Sequence, residues 1–163
     1  MPSRAMRGAY LRVVPEAPFF TILLVRFFVS YYTIKMICHF IFYVADQKVS
    51  SEFYSKVLDQ KPVLDVPGMT EFRLNERSIL GLMPSQGIKK LLGNVIQDPQ
   101  SANGIPRAEI YLRVSNPQAA FKRSLEAGAK LLSPIEKREW GDNAGYLQDP
   151  DGHIFAFAIS QRL

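Results

Sequence analysis

Two residues, His39 and Glu109, carry side chains able to move a proton or hold a cation, and they stand 70 residues apart in similar segments, ICHFIFYV (37–44) and AEIYLRV (108–114). An imidazole titrates near neutrality. A carboxylate beside it favours the charged form of both groups, while burial disfavours either charge, so the balance decides between an acid/base couple and a mutually satisfied contact. Cys38 adjoins His39, but alternation along a strand turns its thiol to the other face and argues against a thiol–imidazole couple. The chain has no GxSxG, CxxC, HExxH or glycine-rich phosphate loop, so hydrolase, dithiol and nucleotide-binding readings find no support.

The elements that must position these residues are short strands and helices. Residues 37–44 are rich in β-branched and aromatic side chains and read as a strand. Asp46 then offers a helix N-cap, and Phe53, Tyr54, Val57 and Leu58 recur at helical spacing. Strands are expected over 63–66, 71–74 and 78–83, with turns at Pro67-Gly68 and Asn75-Glu76. A polar connector, residues 97–106, holds Pro99, Asn103, Gly104 and Pro106. Beyond it a strand over 108–114, an Asn116 cap with Pro117 in the first turn, a helix stopped at Gly128, and strands over 130–134, 144–148 and 153–159 repeat the same order. Asp149-Pro150-Asp151-Gly152 reads as the last turn.

The repetition is numerical. His39, Val44 and Asp46 correspond to Glu109, Val114 and Asn116, each pair 70 residues apart. The expected fold is therefore α+β, a tandem pair of βαβββ modules, because one such unit cannot cover both faces of its sheet. Module one spans 36–96, the linker 97–106 and module two 107–163.

Residues 1–35 differ from the rest. Arg4, Arg7, Arg12, Arg26 and Lys35 stand against Glu16 alone and account for most of the chain's net charge of +5. The remaining body is nearly neutral and offers no field for gathering phosphates, which argues against nucleic-acid binding. Within this extension, residues 19–32 (FFTILLVRFFVSYY) imitate a signal anchor, yet Arg26 interrupts a run shorter than the roughly 20 residues a bilayer requires. Three readings stay open: upstream sequence preceding a true start at Met36, a membrane anchor over residues 18–35, or an additional packed element. The lone cysteine is compatible with a reducing cytoplasm, the expected location, with membrane association through the extension as the alternative.

The paired βαβββ order, the first-strand histidine, the helix ending FYSKVLD and the segment DPDGHIFAFA together resemble the vicinal-oxygen-chelate superfamily of glyoxalases, bleomycin-resistance proteins and dioxygenases, over residues 36–159. The resemblance implies two curved half-sheets forming a mixed-sheet cup around a small-molecule site, commonly in a homodimer. In metal-dependent members four inward side chains, from the first and fourth strand of each module, bind one divalent cation. Carried onto this chain, those positions are His39, Gly81, Glu109 and Ala156, so two of the four ligands are absent. About three protein ligands are usual for a catalytic metal, and a histidine and a glutamate alone would hold one weakly. His153 should point away from Ala156, three residues on.

The expectation is thus a protein that binds a small organic molecule in the cup without a tightly held metal, with Glu109 as counter-charge to a cationic guest. The alternative is a metal-dependent lyase, isomerase or dioxygenase relative using His39 and Glu109, which would face each other from equivalent strands. By alternation Tyr43 shares a face with His39, Met83 with Gly81, and Tyr111 and Arg113 with Glu109, so these line the cup. Trp140, the only tryptophan, and Tyr146 border its mouth, where a flat side chain can stack on a planar ligand or cap the core edge.

Overall fold

In the computed structural model, residues 37–160 are described. The three readings of residues 1–35 lie outside them. Module one runs β1 (Cys38–Val44), α1 (Gln47–Leu58), β2 (Leu64–Val66), β3 (Met69–Asn75) and β4 (Ser78–Pro84). Module two runs β5 (Glu109–Arg113), α3 (Pro117–Glu126), β6 (Lys130–Lys137), β7 (Asp142–Gln148) and β8 (Ile154–Ser160). The sheet orders are β1-β4-β3-β2 and β5-β8-β7-β6, with β1 parallel to β4 and β5 parallel to β8 and the other pairs antiparallel. The chain is α+β with tandem βαβββ modules. Each module's first strand lies at an edge of its own four-stranded sheet, and no backbone ladder joins the two sheets among the described residues.

Both helices begin as their sequences dictate. The Asp46 side chain accepts from Val49 N at 3.0 Å and Asn116 from Ala119 N at 3.0 Å, satisfying amide donors that the first helical turn leaves unpaired. One further helix, α2 (Ser85–Leu92), and two 3-10 turns (Gly93–Val95 and Pro99–Ala102) fill a region to which the sequence assigns no regular element. This helix buries only Ser85 and Ile88, and Lys89 Nζ donates to the carbonyls of Gly93 and Ile96, both at 2.9 Å, holding its C-terminal end. No helix among the described residues is long and apolar enough to cross a membrane.

One core serves both modules. Phe42 and Val44 of β1, Phe53, Tyr54 and Val57 of α1, and Phe72, Leu80 and Leu82 pack in the same cluster as Phe121 of α3, Leu147 of β7, and Phe155 and Phe157 of β8. Burial of each such side chain contributes about 1.5–3 kcal/mol. The modules are also joined by the turn that begins at Asp149. Asp151 accepts from Ala45 N at 2.7 Å and from Ser50 Oγ at 2.8 Å, while Asp149 accepts the Tyr54 hydroxyl at 2.8 Å. The ring of His153 stacks on Phe42 with centroids 4.2 Å apart, so this histidine belongs to the junction. Gly152 has φ 97°, and a Cβ there would lie 2.6 Å from Gly104 Cα, so both the turn and the close approach of the linker require glycine.

Candidate functional site

Strand alternation separates the core-facing side chains of each sheet from those of the opposite face, where the candidate residues stand. On module one, His39 Nδ1 lies 3.4 Å from Glu71 Oε1 of β3, with the two side chains 39% and 19% exposed. That carboxylate is not the one expected: among the described residues no ion pair joins His39 to Glu109. The register explains the change of partner. Ile41, Gly81 and Glu71 occupy one row across β1, β4 and β3. Gly81 carries no side chain, so Glu71 reaches over β4 toward His39. A Cβ on Gly81 would stand 3.2 Å from Ile41 Cγ1 and 3.4 Å from Met69 Sδ, so these apolar atoms occupy the space a ligating side chain would need. Tyr43 and Met83 are neighbours in the same parallel ladder, two residues further along.

On module two the register sets Tyr111, Ala156 and Tyr146 in one row across β5, β8 and β7. Strands two apart are separated by roughly 9–10 Å. The two phenol rings nevertheless have centroids 6.4 Å apart, tilted at 56°, so they lean together over Ala156, which is fully buried. The second lost ligand position is therefore roofed by tyrosines.

Beside this pair runs a chain of hydrogen bonds. Trp140 Nε1 donates to the Tyr111 hydroxyl at 3.2 Å, and that hydroxyl donates to Asp142 Oδ2 at 3.0 Å. The same oxygen accepts from Arg113 Nε at 3.1 Å and Nη2 at 3.0 Å. Burial of Asp142 opposes its ionisation, but the bonds from Arg113 and Tyr111 and the guanidinium charge outweigh it and hold the carboxyl below its ordinary range. Tyr111 is pushed up, first by burial and then by Asp142, although the Trp140 bond acts the other way. Tyr146 is pushed up by burial and by the charge of Glu109, with Arg138 opposing. Both phenols therefore remain protonated donors at neutral pH. Arg138 lies over the Tyr146 ring at 5.2 Å, and its Nε and Nη2 donate to Ala144 O at 3.0 and 2.8 Å.

The structure thus gathers Tyr111, Arg113, Trp140 and Tyr146 on one sheet face. His39 sits with Glu71, and Glu109 is exposed at the start of β5. Three residues of these arrangements escape sequence reasoning: Glu71, Asp142 and Arg138. Asp142 had a usable signal, since it follows Trp140-Gly141 at the start of a strand and alternation sets it on the same face as Tyr146. Glu71 had none, because its role depends on the missing side chain at 81.

A metal centre of the superfamily kind does not fit the residues present. Gly81 and Ala156 supply no donor atoms, their surroundings are filled by Ile41, Met69, Tyr111 and Tyr146, and no group of three or more His, Cys, Asp or Glu side chains suited to a cation occurs among the described residues. The arrangement offers instead neutral phenol donors, aromatic faces and a carboxylate neutralised by an arginine.

Comparison with known proteins places this geometry. The family model of the glyoxalase-like domain matches residues 36–161. An uncharacterized protein of Mycobacterium bovis is 31% identical over 116 residues, covering 68% of this chain and 74% of its own; one of Mycobacterium tuberculosis has the same identity with 66% of its length covered. A glyoxalase-related enzyme from Fulvimarina pelagi shares the fold with a TM-score of 0.66 at 22% identity, covering 78% of this chain and 89% of that one. A glyoxalase/bleomycin resistance protein/dioxygenase family enzyme from Burkholderia phytofirmans does so at 0.60 and 15%, covering 74% and 95%. On the family match and the tandem βαβββ architecture, the chain belongs to the glyoxalase-like domain family of the vicinal-oxygen-chelate superfamily.

Proposed function

We propose that this protein binds a small planar organic ligand on the outer face of the module two sheet, without a tightly held metal. The observation that carries the reading is the hydrogen-bonded chain from Trp140 through Tyr111 and Asp142 to Arg113, set beside Tyr146. Fixed aromatic faces give a planar guest apolar contact, and anchored polar tips give it orientation. The exposed carboxylate of Glu109 lies on the same strand as Tyr111 and Arg113 and favours a ligand bearing positive charge.

A second copy of the chain completes the cup in this reading. Ile41 and Tyr43 of the edge strand β1 are both 39% exposed on one face, an apolar strip next to a ladder edge with no partner strand among the described residues. Strips of this kind on sheet edges are normally covered.

Trp140 is the only tryptophan, so its emission reports on this face alone. Titration with a planar aromatic cation is expected to quench it saturably and to raise the melting temperature by mass action, with both effects lost in Tyr146→Ala. Unchanged quenching in that variant, or a thermal response to glutathione conjugates alone, defeats the reading.

A further inference from the structure

We propose a second binding site, for an amphipathic organic carboxylate, in the groove between β5, α3 and the β3–β4 end of module one. The groove encloses about 720 Å³, within the range of small-molecule pockets. Its apolar lining includes Phe40, Val57, Leu58, Leu112 and Phe157. Three arginines line it, and so does Tyr111: Arg113 is paired with Asp142, whereas neither Arg73 nor Arg123 forms an ion pair among the described residues. Glu109 is the single carboxylate in the lining.

The groove exists because the repeat is imperfect. Between β7 and β8 the connection is five residues, Asp149 to His153, and between β3 and β4 it is two, Glu76 and Arg77. The longer turn reaches α1 and delivers two carboxylates, which accept from Ala45 N, Ser50 Oγ and Tyr54 OH. The 70-residue offset makes Ser115, Ala120 and Ser124 the counterparts of those three residues. At the second junction the shorter turn carries Glu76 but, among the described residues, brings no carboxylate into a bond with α3: Ser124 Oγ donates to Ala120 O of its own helix, and Ser115 N makes no side-chain bond like that of Ala45 N. What faces the groove there is Arg123, whose Nε is buried and has no acceptor. A buried, unsatisfied guanidinium nitrogen calls for a partner, and a carboxylate matches its geometry best. A ligand carboxylate at Arg123 would do for α3 what Asp149 and Asp151 do for α1, with its apolar body among Val57, Leu112 and Phe157.

Calorimetric titration of the full chain with sodium octanoate tests this. Saturable one-to-one binding is expected, with none for octyltrimethylammonium. Arg123→Met should weaken octanoate by about tenfold or more, as expected for loss of a charge-assisted bond. Ala119→Phe, which fills the groove one helical turn from Arg123 while leaving the guanidinium charge in place, should also abolish binding, so the inference does not depend on one variant folding. Tyr146→Ala should leave octanoate unaffected, because Tyr146 is outside this groove although Tyr111 and Arg113 border both sites. No saturable binding, equal binding of the cation, or parental affinity in Arg123→Met and Ala119→Phe overturns the proposal, as does loss of octanoate in Tyr146→Ala.

Discussion

His39 on β1 and Glu71 on β3 approach to 3.4 Å across a strand that lies between them, and they do so above a glycine. The separation is an ion-pair distance longer than a tight N–H···O bond. The contact is a consequence of the residue at 81: with no side chain there, the carboxylate of the neighbouring strand closes over β4 and Ile41 settles against the glycine.

Placing a glutamate at 81 should therefore harm the protein. Its Cβ alone would press on Ile41 Cγ1 at 3.2 Å and Met69 Sδ at 3.4 Å. Overpacking of this kind costs about 1–3 kcal/mol. Urea denaturation should show Gly81→Glu destabilised by that order and Ile41→Ala partly rescuing it; an additive double variant would mean that Ile41 is not the obstacle.

The same geometry predicts the metal content. Protein purified without chelator should contain no stoichiometric manganese, iron, nickel or zinc by elemental analysis, and His39→Ala should leave its melting temperature insensitive to added metal. One equivalent of a divalent ion, lost in His39→Ala, would revive a lyase or dioxygenase reading in which His39 and Glu71 are the module one ligands.

Tyr54 and Asp149 predict an alkaline response. Burial, and after it the Asp149 charge, raise the Tyr54 pKa well above its ordinary value of 10.0. A raised folded-state pKa contributes stability that is full below pH 10 and falls as pH climbs from there toward the higher folded value. Tyr54→Phe should remove that slope and, by leaving a buried carboxylate oxygen one bond short, cost about 1–3 kcal/mol at neutral pH. Stability measured against pH from 7 to 11 distinguishes the two effects.

Asp142 responds in the opposite direction. Burial acts against its charge, yet Arg113 and Tyr111 prevail and its folded pKa is depressed below the ordinary 3.8. Its contribution is therefore present above about pH 4 and lost as pH falls through the lower folded value. Asp142→Asn should flatten this acid limb and blue- or red-shift the Trp140 emission, because the tryptophan is tied to the same network through Tyr111. An unchanged acid limb would mean that the guanidinium does not govern this carboxylate.

The fold was legible because its signals are local and repeated. Asp46 and Asn116 announced two helix starts, and alternation placed Tyr111 and Arg113 on one face. The helix Ser85–Leu92 was not legible, since it buries two side chains and is held at its end by one lysine. Partnership within the site was less legible still. Equivalence in a repeat puts His39 and Glu109 at matching strand positions, but the partner of each is set by cross-strand register. That register made Glu71 the neighbour of His39 and made two tyrosines meet over Ala156.

The edge strand β1 predicts the state of association. Its register exposes Ile41 and Tyr43 on one face while Phe42 and Val44 are buried on the other, so the strip can be covered only from outside the described residues. A second chain laid along it would extend the sheet from an edge that has no partner strand among the described residues and bring another module two face toward His39 and Glu71. Light scattering in solution should then give twice the chain mass of 18.5 kDa. Ile41→Lys, whose long stem can lie over Gly81 while its charge stays in water, should halve that mass and leave the circular dichroism unchanged. A parent protein that is monomeric at micromolar concentration would rule out a cup shared between two copies and leave each sheet face to bind its ligand alone.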